Sequence, residues 1–124
     1  MYERLGGTEK IHGFMSAFVD RLHSNTELHR QNPRVAAAIL HVNEGALKRK
    51  VGDYVCKLVG GPSEYHGRPM RASHARLGIT EADWALGAQD LMMALEEYRV
   101  PADDGQELLA RIAQIKPDIV TRGW

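Results

Sequence analysis

The sequence predicts an all-α protein, and three observations carry that expectation. Apolar residues recur three and four positions apart in several long segments, the spacing that places them on one helix face. Gly6-Gly7, Asn32-Pro33, Gly60-Gly61-Pro62 and Pro101 fall between those stripes, where they stop a helix or start one. No stretch alternates apolar and polar residues as a half-buried strand would. A chain of 124 residues fits a single domain over 1–124 with one modest core.

Taken in order, Gly6-Gly7 closes a short first turn, and Thr8 is placed as the N-cap of the first long helix. Ile11, Phe14, Met15, Phe18, Val19 and Leu22 stripe that helix, which should run over 8–23 and end at Ser24-Asn25-Thr26. The part from 27 to 43 reads least clearly: Asn32-Pro33 argues for a turn, and Val35 to Leu40 for a short helix. Leu47, Val51, Tyr54, Val55 and Leu58 then define a helix over 43–59, with Gly52 weakening it slightly and Gly60-Gly61-Pro62 ending it. Thr80 with Asp83 forms a capping-box pattern, and Trp84, Ala88, Leu91, Leu95 and Tyr98 stripe the helix that follows. Pro101 opens a last helix with the face Leu108, Leu109, Ile112, Ile115 and Ile119.

Lys and Arg number 16, as do Asp and Glu, so no net field recruits nucleic acid or an acidic membrane. No apolar run is long enough to span a bilayer, and the first residues lack a secretory pattern. Cys56 is the only cysteine, which excludes an internal disulfide and a cysteine-based metal cluster. A reducing cytoplasm is the expected setting and a monomer the expected state. Of six histidines, five sit in polar sequence surroundings and are expected in solvent.

The sixth, His74, is different. Pro69 suits the first turn of a short helix, from which Met70 and His74 share a face, with Ala75 and Leu77 beside them. Gly78 can end that helix in the left-handed conformation. One imidazole is thus framed by Met70, Leu77 and Ile79, and a neutral imidazole nitrogen is a good axial ligand for haem iron. By spacing alone a structural histidine is the commoner reading.

Gly60-Gly61-Pro62, Tyr65, Gly67, Met70, His74 and Gly78-Ile79-Thr80 resemble, in order, the signature of the group 1 truncated haemoglobins. The opening Tyr2-Glu3-Arg4-Leu5-Gly6-Gly7 is similar to that family's first turn, and the likeness runs to about Val120, weakening between Leu28 and Asn43. The resemblance implies a sandwich of two helices on two enclosing haem b, with His74 the proximal iron ligand. It places the helices of Phe18 and Leu47 as the distal wall, and the His74 segment with the helix of Trp84 as the proximal side. Met70, Leu77 and Ile79 would line the ring, and Arg68 or Arg71 would pair with a propionate, unless these arginines are ordinary solvated charges.

The chain departs from the family at two places. The phenylalanine pair common near the start of the 27–43 connection gives way to polar residues around His29 and Arg30. Phe18, Leu47 and Val51 occupy positions where many relatives carry tyrosine and glutamine, and none of the three can donate a hydrogen bond to a bound gas. Tyr54 either reaches the pocket or packs as an aromatic. Lys50 lies between Leu47 and Val51, where some relatives carry a histidine or lysine that binds the iron; the alternative is a lysine whose ammonium reaches water or a propionate. His41 is a weaker rival for that position.

The implied activity is reversible binding of oxygen, nitric oxide or carbon monoxide. Conversion of nitric oxide and oxygen to nitrate, with a reductase as partner, or another redox role, is the alternative. The competing class is a haem-free helical interaction module, which explains the stripes but not the Gly-Gly-Pro, Tyr65 and His74 arrangement.

Overall fold

Ile11, Phe14, Met15 and Val19 are buried on one face of α1 (Gly7–Ser24), and such a stripe needs other helices to cover it. The computed structural model describes residues 1–62, 74 and 77–120, and shows which elements do so. After α1 come α2 (Thr26–Gln31), α3 (Pro33–His41) and α4 (Glu44–Leu58), then α5 (Glu81–Glu97), α6 (Ala102–Ala113) and α7 (Lys116–Ile119). The fold is the all-helical two-on-two sandwich, with α1 packed on both α4 and α5, and α6 against α5.

Two apolar clusters result. The main core joins Leu5, Ile11, Phe14 and Met15 to Val55, Cys56 and Val59, and to Leu91, Leu95, Val100 and Leu108. Burying each larger side chain contributes about 1.5–3 kcal/mol, so this cluster carries the fold. The second joins Leu28, Val35 and Ile79, with Leu22, Ile39, Leu77, Leu86, Ile119 and Val120 partly buried around it.

The end of α4 fixes the direction in which the chain leaves that helix. Gly60 takes a left-handed φ of 87°, its N–H donating to the Lys57 carbonyl at 3.1 Å, while Gly61 N–H donates to Cys56 at 2.7 Å. These are the two bonds of a Schellman motif. Gly61 is bare because the Tyr2 ring lies against it: an added Cβ would sit 2.5 Å from that ring.

Four expectations need correction. Thr8 is not the N-cap of α1; Gly6 is, at φ 95°, and that turn brings the Tyr2 hydroxyl to 2.9 Å from the Thr8 N–H. The helix after Pro101 is two helices, since the chain turns at Gln114 and Ile115 before α7 starts at Lys116 with Pro117 in its first turn. Tyr98 is 37% exposed and lies along Gly13 of α1 instead of closing the buried stripe of α5. Not all the other histidines are solvated: His12 is half-buried against Gly52, with Nε2 3.1 Å from the Asp53 carboxylate, and a His29 ring nitrogen bonds the Leu22 carbonyl at 2.9 Å.

Candidate functional site

His74 is helical and half-buried. Its carbonyl accepts from the Leu77 N–H at 3.1 Å, and Gly78, at φ 60°, ends the turn in the left-handed region that the sequence assigns to it. Ile79 is buried directly after, and Thr80 starts α5 through a complete capping box with Asp83. His74, Leu77 and Ile79 therefore lie on a short stretch pinned at its far end by the start of a long helix.

The pin is polar and buried. Asn32 ends α2 and caps α3, its side-chain oxygen accepting from the Arg34 and Val35 N–H groups at 3.1 and 3.2 Å. Its amide nitrogen donates towards the carbonyls of Leu77 at 3.0 Å and Gly78 at 3.3 Å, and to the Asp83 carboxylate at 2.8 Å. Asp83 also accepts from Gln31 at 2.6 Å and from the Thr80 N–H at 3.0 Å. Burial pushes the Asp83 carboxyl up, but the hydrogen bonds from Asn32, Thr80 and Gln31 outweigh it and hold the group below its ordinary value.

Across the molecule, Phe18 on α1 and Leu47, Val51 and Tyr54 on α4 are all half-buried. Phe18, Val51 and Tyr54 rest on the main core with part of each side chain uncovered. Lys50 is exposed, in keeping with the alternative of a lysine whose ammonium reaches water. Lys48 turns towards α1, its ammonium 2.7 Å from Asp20 and 3.2 Å from Glu44. His41 is exposed. Trp84 is half-buried, with the Lys116 ammonium 5.8 Å from its ring centroid. Arg68, Met70 and Arg71 lie outside the described residues.

Periodicity missed part of this site. Ile39, Leu86, Ile119 and Val120 join Leu77 around the second cluster, although the spacing places only Ile119 of these four on a helix face. Asn32-Pro33 reads as a turn, yet an asparagine directly before a proline at the first helical position is also a capping signal. Among the described residues no three His, Cys, Asp or Glu side chains converge where they could hold a metal ion. No helix among them is long and apolar enough to cross a membrane.

The profile of bacterial-like globins matches residues 1–121. A group 1 truncated haemoglobin of Mycolicibacterium paratuberculosis is 31% identical over 121 residues, spanning 98% of this chain and 84% of that protein. One from a Nostoc species is 26% identical, spanning 98% of both chains. Among solved structures, the truncated haemoglobin of Tetrahymena pyriformis in its Fe(III) form superposes with a TM-score of 0.82 at 20% identity, covering 96% of each chain. The 2/2 haemoglobin of a Synechococcus species, solved with covalently attached haem, gives 0.79 at 24% identity over 98% of each. The chain belongs to the group 1 truncated haemoglobins of the bacterial-like globin family, haem-binding globins built as two helices on two.

Proposed function

We propose that this chain holds haem b through His74 and binds diatomic gases reversibly beside Phe18, Leu47 and Val51. The observation that supports it most is the setting of His74, a half-buried imidazole on a pinned helical turn beside an apolar cluster. The donor set fits the group. A single imidazole is the donor that a haem iron takes from a protein, the porphyrin supplying its own nitrogen ligands. The half-covered faces of Phe18, Val51, Leu77 and Leu86 suit a flat apolar ring.

When bound, haem would supply an iron that takes oxygen, nitric oxide or carbon monoxide. Within this reading Leu77 and Ile79 flank the ring with Met70 and Trp84, and Arg68 or Arg71 meets a propionate. Phe18, Leu47 and Val51 exclude water from the gas and give it no hydrogen bond. Retention of oxygen should be poor, which weighs against nitrate formation as the main activity and leaves a reductase partner as a requirement of that alternative alone.

Haem titrated into the purified protein should produce a Soret band that His74→Gly greatly weakens and added imidazole restores. An unchanged spectrum in His74→Gly would refute the ligand. A parent that develops no band would favour a haem-free helical module.

A second form of the reading gives the iron Lys50 as internal sixth ligand, supported by its place between Leu47 and Val51 on α4. Only the neutral amine has a lone pair to donate, so coordination should strengthen as pH rises and fail on acidification. Because Lys50 is exposed, the iron must itself draw the amine from water. Spectra of the parent and of Lys50→Ala across pH decide it. A low-spin parent that becomes high-spin in Lys50→Ala supports coordination, and identical spectra would sink it.

A further inference from the structure

The carbonyls at the end of a helix have no partner within it, and a short helix ending in a left-handed turn exposes them next to the last residues it positions. Here those are the carbonyls of Leu77 and Gly78, three and four residues after His74. Both are met by one side chain from a distant part of the chain, the amide nitrogen of Asn32, at 3.0 and 3.3 Å. Asn32 is 7% exposed and cannot swing freely. Its oxygen is committed to the first N–H groups of α3, and its nitrogen also to Asp83, itself 4% exposed and fixed by Gln31 and the Thr80 N–H.

We infer that Asn32 is a positioning residue for the iron ligand, clasping the Leu77 and Gly78 carbonyls so that the helical turn bearing His74 has one fixed height and tilt. The inference rests on His74 being the ligand. An imidazole whose backbone is held at only one point can follow the iron or rotate away from it; a clasp at the end of its turn removes that freedom. Groups that orient a metal ligand from behind typically matter 10–100-fold in metal affinity. The two halves of the Asn32 amide do different work. The oxygen caps α3, and the N–H donors hold both Asp83 and the His74 turn.

That difference supplies the test. Asn32→Ser keeps a capping oxygen for α3 on a side chain too short to reach the Leu77 and Gly78 carbonyls, and Asn32→Asp keeps an acceptor at full length while setting a second carboxylate against Asp83; both remove the amide N–H donors. Each is loaded with haem and compared with the parent in three measurements: the ferrous iron–histidine stretching band, haem transfer to an excess of a haem acceptor, and amide exchange at Leu77. The clasp predicts a shifted or broadened band, haem loss faster by roughly ten-fold, and faster exchange at Leu77, in variants that keep the parent's helix content. An unchanged band and unchanged haem loss in a helical variant would overturn it. So would loss of helix in both variants, since with the cap retained the amide N–H donors would then serve the fold as a whole and not the His74 turn in particular. Failure of the parent itself to show a His74-dependent Soret band would count against the haem reading instead.

Discussion

The two sides proposed to face the haem are built by different physics. On the side of α1 and α4, Phe18, Leu47 and Val51 are apolar, half-buried, and held in place by helices that already pack on the main core. On the side of His74, the backbone is short and ends in a left-handed glycine, and a polar network holds it: buried Asn32 and Asp83, with half-buried Thr80 and exposed Gln31 bonded to Asp83. A side chain on the first side can change without loosening its helix, so substitutions there should speak to the bound gas. On the second side position and stability are one network, so substitutions should speak to the fold and the ligand together.

The largest effect expected on stability is at Asp83. Its carboxylate accepts from Asn32 at 2.8 Å, Gln31 at 2.6 Å and the Thr80 N–H at 3.0 Å, with 4% of the residue exposed. In Asp83→Asn a charged acceptor becomes neutral and one of its atoms becomes a donor facing donors, which should cost about 2 kcal/mol. The folded-state value of this carboxyl is lowered, so its stabilisation is present above the unfolded value and is lost as pH falls through the folded one. The parent should therefore lose stability below about pH 4, and Asp83→Asn should lose less over the same range. Urea unfolding at neutral and acid pH checks both points. Equal acid sensitivity in the two proteins would mean that hydrogen-bond geometry, and not the charge, holds the network.

This contrast also explains what was legible in the sequence. The stripe from Ile11 to Leu22 gives α1, Leu47 to Leu58 gives α4, and the Thr80 and Asp83 pair gives the start of α5, because each is a local signal. The short α2 and α3 were obscure because six and nine residues hold too few turns to show a period. Their signal lay in the caps instead: Asn25, Asn32 and Asn43 each stand before a helix and accept from its first N–H groups. His74 was found through the family's glycines around it, not through spacing. The clasp was not legible, since Asn32 reaches Leu77 and Asp83 across 45 and 51 positions, and no local pattern reports a bond of that span. Gly52 hid for the same reason. It reads as a weak point of α4, yet it is where the His12 ring fits, in the space that a Cβ would need.

The smaller effect, on the opposite side, isolates the gas from the fold. Phe18 is half-buried and rests on the main core, so Phe18→Tyr keeps the ring's packing and adds one hydroxyl. A bound dioxygen carries partial negative charge, and a donor in a pocket of low dielectric stabilises it. One such hydrogen bond is worth about 1 kcal/mol, which slows oxygen dissociation roughly five-fold. The parent should release oxygen quickly, and Phe18→Tyr more slowly, in stopped-flow measurements. Urea unfolding of the two should differ by less than the Asp83→Asn effect, because no buried network is disturbed. An already slow parent that the substitution leaves unchanged would show that a donor outside the apolar trio, Tyr54 or Lys50, serves the gas. A slower rate bought with a large loss of stability would break the comparison itself, since the wall would then be tied to the fold as tightly as the clasp is.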